Sequence, residues 1–265
     1  MRFAAVQFDI VWENKPANHA IVERMIDEAQ PAIPRGAFVL LPELGDTGFS
    51  FNLDRIVDDR SLTWARELAR TRSIWLQHGF AQRGEDQRGR NCAAIIAPTG
   101  DVIGHYEKVH PFSFGREVEH YTGGDHQLIA RCGEMTVCPA ICYDLRFPEL
   151  WRLGALGGAQ AFTIGASWPA ARQHHWRSLL IARAIENQAY VVAVNRVGND
   201  PHLPYAGGSM IVSPMGEILA EAGESPAVIQ ADLDPAALNV WRSKFPALAD
   251  IHRNLLGEIT TVRPT

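Results

Sequence analysis

The chain has 265 residues, 46% of them apolar and 21% charged, with a net charge of −5. That length can bury a sizeable core, and the composition excludes a disordered chain. The mildly acidic balance lacks the basic field that nucleic acid or an anionic membrane would require, so neither is expected as a partner. No apolar run approaches membrane-spanning length, and the first residues carry neither the long apolar stretch nor the cleavage site of a secretory leader.

In chain order, residues 3–10 read as a buried strand, followed by helical spacing through Ile21, Val22, Met25 and Ala29 that Pro31 and Pro34 stop. Residues 38–41 form a short apolar strand ending at Pro42-Glu43-Leu44-Gly45. Residues 58–72 are helical in pattern and 74–80 strand-like; polar 82–90 make a turn. Strands 91–97 and 102–106 flank Pro98-Thr99-Gly100-Asp101 and read as a hairpin. Residues 111–124 read as a loop, and strands 127–130 and 135–141 lead to Cys142. A helix opening at Phe147-Pro148-Glu149, a strand at 161–166, a helical face at Trp176, Leu179, Leu180 and Ala184, and strands at 190–194 and 209–212 follow. The chain turns at 214–217 into 218–220, then closes with a last strand at 228–233 and a helix from Pro235. Strands and helices mingle with no linker, repeat or low-complexity tract, so a single α/β domain over 1–265 is expected.

Cys142 is the centre of the chemistry. It lies where a strand ends and a helix is about to begin, beside backbone N–H groups that favour a thiolate and could hold an oxyanion. The other three cysteines, Cys92, Cys132 and Cys138, make no disulfide framework, and Cys138 shares a strand with Cys142, a poor geometry for bridging. All four are expected to be reduced, in a cytoplasmic protein.

A cysteine that cleaves an amide needs a base, a cation or N–H for the oxyanion, and an acid for the departing amine. Glu43 follows an apolar strand and Pro42, in a partly dry neighbourhood that raises a carboxylate's proton affinity; an ordinary loop carboxylate is the competing reading. Lys108 ends a strand among aromatics but could be a rim lysine beside Glu107, and Glu117 could simply pair with Arg116.

Together these segments resemble the nitrilase superfamily of carbon–nitrogen hydrolases along essentially the whole chain. Leu40-Leu41-Pro42-Glu43-Leu44 resembles its glutamate motif, Tyr106-Glu107-Lys108-Val109-His110 its lysine motif, and the run from Ile141 through Cys142 to Leu150 its cysteine motif. The resemblance implies a four-layer α-β-β-α sandwich, commonly dimeric through its outer helices, with Glu43 as general base, Lys108 as oxyanion cation and Cys142 as nucleophile. Tyr143 would add its backbone N–H to the oxyanion hole, and Glu117 would be the additional glutamate, with Glu119 the competitor. Stretches at 167–172, 175–176, 182–188 and 195–198 resemble the ω-amidase-like branch, whose substrates are small α-keto acid monoamides. N-carbamoyl amine or nitrile hydrolysis are alternatives within the superfamily, and a catalytically silent binding scaffold is the alternative outside enzymology.

For the pocket, Trp168, Arg172, Phe49 and Phe114 are the candidate substrate contacts; Trp168 follows a strand end, and Arg172 could pair bidentately with a substrate carboxylate. No cofactor or metal is expected: His174 and His175 are sequence neighbours that face apart on a helix, and no phosphate-binding glycine loop is present. Two departures stand out. Pro139 removes a ladder donor just before the nucleophile and is expected to bulge or unpair the strand, and Arg116 stands where the family often has glycine or another small residue.

Overall fold

The structure, a computed structural model, describes residues 1–264. Two six-stranded sheets stack face to face. The first runs in the order Ala227–Asp232, Arg2–Gln7, Phe38–Leu40, Trp75–Arg83, Gly89–Ile96, Val102–Glu107. The second runs Ile218–Glu221, Met210–Val212, Tyr190–Asn195, Ala161–Ala166, Met135–Ile141, Ala130–Cys132.

The layering follows from the two-residue period of a strand. In Arg2–Gln7, Ala4 and Val6 face outward into a cluster with Val22, Ile26, Ala65 and Leu68 of the helices Lys15–Asp27 and Arg60–Arg72. Phe3 and Ala5 face inward and join the core that reaches Ile164 and Val192 of the second sheet. On the far side of that sheet, Trp151 and Ala155 of Pro148–Leu156 and Trp176, Leu180 and Ala184 of Gln173–Glu186 complete the core. The order is helix, sheet, sheet, helix, the expected sandwich.

In the second sheet Met135–Ile141, Ala161–Ala166 and Tyr190–Asn195 are parallel, so their carboxyl ends share one edge. Parallel Phe38–Leu40 points its own end toward the same region, the edge where α/β sheets place their ligands.

Several local readings change. The 111–124 loop contains a 3-10 turn at Ser113–Gly115 and a short helix at Glu117–His120. The 127–130 strand is divided: His126–Leu128 pairs with Thr260–Val262, while Ala130–Cys132 joins the second sheet. A small hairpin, Val197–Asn199 with Pro204–Ala206, had no strand signal. Pro139 causes no bulge. It stays in register opposite Thr163 and lies beyond the end of the Ala130–Cys132 pairing, where no ladder donor is required of it.

Candidate active site

Glu43, Lys108, Cys142 and Glu117 converge from four chain segments. Glu43 follows Phe38–Leu40, Lys108 follows Val102–Glu107, and Cys142 follows Met135–Ile141, while Glu117 opens the short helix. Three of these turns hold a non-glycine residue in the left-handed region: Leu44 at φ 45°, Arg116 at φ 63° and Cys142 at φ 45°. Such backbone costs about 1–3 kcal/mol each and persists where surrounding contacts enforce it. At position 116 that positive φ would suit glycine better than arginine.

The Glu43 turn is wedged between the sheets. A Cβ on Gly79 of the first sheet would lie 2.6 Å from Pro42 O, and one on Gly165 of the second 2.7 Å from Leu41 O. Both positions therefore need glycine to let the turn in. Behind the cysteine, fully buried Asp144 gathers four donors: Tyr106 Oη at 2.8 Å, Ile141 N at 3.0 Å, His110 N at 3.0 Å and His110 Nδ1 at 2.9 Å. One carboxylate thus ties the lysine segment to the cysteine segment. Arg183 grips the same turn, donating twice to Leu145 O.

The charged groups form one closed network. Lys108 Nζ donates to Glu43 Oε1 at 2.7 Å and to Glu117 Oε2 at 2.8 Å. Asn91 Nδ2 donates to Glu43 Oε1 at 2.8 Å and to Glu117 Oε1 at 2.9 Å. Ser167 N donates to Glu43 Oε2 at 2.9 Å, and Phe112 N to Glu117 Oε2 at 2.6 Å. Glu43, Lys108, Glu117 and Cys142 are all buried; Cys142, 8% exposed, is the most open of them, and it lines the cavity together with Glu43 and Lys108, while Glu117 lies behind. Glu119 is on the surface, paired with Arg116, so Glu117 is the glutamate that joins the cluster.

Electrostatics revise the expected thiolate. Burial pushes the Cys142 thiol well above its ordinary range and the Glu43 charge adds to that; Lys108 and the Ser167 N–H act in the opposite direction without reversing it. The balance favours the protonated sulfur. Burial by itself would lower Lys108, yet the charges of Glu117 and Glu43 hold it well above the usual lysine value. Glu117 is raised, first by burial and then by Glu43, against the pull of Lys108.

A cavity of about 680 Å³ opens above the thiol. Phe49, Trp168, Arg172 and Phe114 all line it, Phe114 as a largely exposed rim residue. Arg172 lies over the Phe112 and Phe114 rings at 5.4 and 5.9 Å. Arg146 lies 4.8 Å over Trp168 and contacts His175. Among the described residues neither of these guanidinium groups forms a salt bridge, and both border the cavity.

Sequence reasoning missed Asn91, Ser167 N, Asp144 and Arg146 as parts of the site. Asp144 and Arg146 lie inside the cysteine motif, and Ser167 ends a strand, so their positions carried a signal. Asn91 carried none. The stretches at 182–188 and 195–198 prove to be scaffolding: Arg183 holds Leu145 O, and Asn195 brackets Trp168 through both its N–H and its carbonyl.

Among known proteins, the profile of the family Carbon-nitrogen hydrolase matches residues 2–243. The 2-oxoglutaramate amidase of Bacillus subtilis (strain 168) is 32% identical over 256 residues, covering 95% of this chain and 98% of its own. The omega-amidase YafV of Escherichia coli (strain K12) is 34% identical over 254 residues, covering 94% and 96%. The crystal structure of XC1258 from Xanthomonas campestris, a CN-hydrolase superfamily protein with an arsenic adduct in its active site, superposes with a TM-score of 0.88 at 31% identity, covering 97% of this chain and 99% of that one.

Proposed function

Because the chain belongs to the carbon–nitrogen hydrolase family, we propose that it cleaves the terminal amide of a small carboxylic or α-keto acid monoamide to the acid and ammonia. The observation that carries this reading is the closed Glu43–Lys108–Glu117 network behind a cavity-facing thiol. Arg146 and Arg172, neither of which forms a salt bridge among the described residues, supply charge at the cavity for a carboxylate at the far end of the substrate. The substrates of the two amidase relatives, by their names, agree with that class.

In this reading Glu43 takes the thiol proton as Cys142 sulfur attacks the amide carbon. Lys108 and the Tyr143 N–H, at the first turn where helical N–H groups lack partners, hold the oxyanion. Glu43 passes its proton to nitrogen, the C–N bond breaks, and ammonia leaves a thioester. Water then gives a proton to Glu43 and its oxygen attacks the thioester; collapse releases the acid, and the sulfur recovers the proton. A resting thiol suits this cycle, because the proton that leaves the sulfur is the one the leaving group needs. Glu117 keeps Lys108 charged and aimed. The four cysteines are unpaired, which agrees with a cytoplasmic enzyme; exposed Ile185 and Met215 give an outer surface suited to a homodimer.

The test is ammonia release from 2-oxoglutaramate against N-carbamoylputrescine and simple nitriles, with Cys142→Ala as blank. The monoamide should be turned over fastest. Preference for the carbamoyl compound, with CO₂ evolved, would overturn the branch; activity surviving in Cys142→Ala would overturn the nucleophile.

A further inference from the structure

Each carboxylate oxygen offers about two lone pairs, so the donors around the two glutamates can be counted. Glu43 Oε1 already accepts from Lys108 Nζ and Asn91 Nδ2, and Glu117 Oε2 from Lys108 Nζ and Phe112 N. Glu117 Oε1 accepts from Asn91 and shares no donor with the Cys142 sulfur. Among the described residues Glu43 Oε2 accepts from Ser167 N alone, the same N–H that faces the Cys142 sulfur. It is therefore the oxygen with both an open lone pair and the thiol beside it.

We infer that Asn91 is a positioning residue for the reaction: by occupying Oε1 of both glutamates with one amide nitrogen, it fixes Glu43 so that Oε2 alone receives the thiol proton. This rests on the proposed amidase chemistry and deepens it. The amide orientation is set by its surroundings, since turning Asn91 over would aim Oδ1 at two carboxylates. In the orientation present, Asn91 Oδ1 is buried without a hydrogen-bond partner. A buried orphan acceptor is unfavourable for folding, so its retention is explained by what the nitrogen does. The charged and titratable groups facing the pair are Lys108, Cys142 and the phenols of Tyr121 and Tyr205. Burial raises both phenols above their ordinary value, which leaves them neutral through the working range.

The test uses the full chain with Asn91→Leu, which removes the donor, and Asn91→Ser, which leaves one hydroxyl donor for two carboxylates. The first readout is the rate of Cys142 alkylation by iodoacetamide against pH, followed on the Cys142 peptide with Cys142→Ala as blank. An amide donor favours the ionised form of the carboxylates it holds, so without it the acid limb of the coupled cluster moves to higher pH. The acid limb should rise by about one pH unit in Asn91→Leu and by less in Asn91→Ser. The second readout is amide hydrolysis, where kcat should fall by roughly tenfold or more with KM little changed.

A folded Asn91→Leu with the wild-type limb and kcat overturns the inference. If Asn91→Leu does not fold, an unshifted limb in Asn91→Ser does so. If wild-type protein hydrolyses no amide while the limb still shifts, the amidase reading fails and the assignment of Asn91 to the proton path stands.

Discussion

Replacing Gly165 by alanine tests whether the Glu43 turn is held by close packing between the sheets. The added Cβ would sit 2.7 Å from Leu41 O, 3.0 Å from Glu43 N and 3.1 Å from Pro42 C. Ordinary contact begins at 3.4 Å, so the turn must withdraw by about 0.7 Å from its tightest neighbour. Retreat is blocked, because Gly79 packs against the same turn from the first sheet and a Cβ there would already be within 2.6 Å of Pro42 O. Gly165 also precedes Ser167 by two residues, so the shift disturbs both ends of the bond from Ser167 N to Glu43 Oε2. A misplacement near 1 Å costs roughly 100-fold in rate, and overpacking costs about 1–3 kcal/mol of stability. Gly165→Ala should therefore lose on the order of 10- to 100-fold in kcat and melt a few degrees lower. Ammonia-release kinetics and circular dichroism melting measure the two effects. Gly223→Ala, with nothing within 4 Å of its Cβ, is the control and should match wild type. Gly165→Ala with undiminished kcat would refute the claim that this contact positions the base.

Lys108→Met should lower kcat by roughly 100- to 1,000-fold, the effect of one lost oxyanion donor; turnover within tenfold of wild type would remove Lys108 from the oxyanion site. Arg172→Ala should raise KM for an acid monoamide about tenfold or more, as expected when a charge-assisted bond is lost, and leave a neutral amide such as propionamide unchanged; an equal effect on both would assign Arg172 to packing. Asp46 concerns acid stability. Burial alone would raise this carboxyl, but His19, His78 and Ser61 outweigh it and hold it below the ordinary range. With its folded value depressed, its contribution is fully present above the unfolded value near 3.9 and is lost as pH falls below that. Asp46→Asn should then cost about 1–3 kcal/mol at pH 7, by weakening the hydrogen bond with His19, and show a flatter fall in Tm between pH 5 and 2. A wild-type slope in that window would count against the assignment.

The parts of the site that were legible in the sequence are those whose neighbours along the chain announce them. Glu43 follows an apolar strand and a proline, Cys142 opens a turn into a helix, and Lys108 ends a strand among aromatics. The sandwich itself was legible through the resemblance alone: Phe3, Ala4, Ala5 and Val6 are all apolar, so the sequence does not mark which face each one takes. Asn91 was invisible because it touches Glu43 across 48 positions and Glu117 across 26; only the folded chain makes them neighbours. Ser167 matters through its N–H, which its side-chain type does not encode. The divided strand at 126–132 was misread for a related reason: Leu128, Ile129 and Ala130 are all buried, so hydrophobicity cannot mark where one sheet hands over to another.

The thiol and the ammonium are both raised, by different leading causes: burial raises the thiol and the carboxylates add to it, whereas burial would lower the ammonium and the two carboxylates reverse that. A cluster with equal numbers of each charge would favour a standing thiolate, open to alkylation and oxidation whenever the cavity is empty. In the proposed cycle the sulfur would keep its proton until an amide oxygen, drawing on Lys108, begins to take up negative charge and Glu43 accepts the proton. Nucleophilicity is thereby tied to the presence of a substrate carbonyl. Glu117 adds its charge to burial and Glu43 on the side of the thiol, and its hydrogen bond holds the Lys108 ammonium beside Glu43.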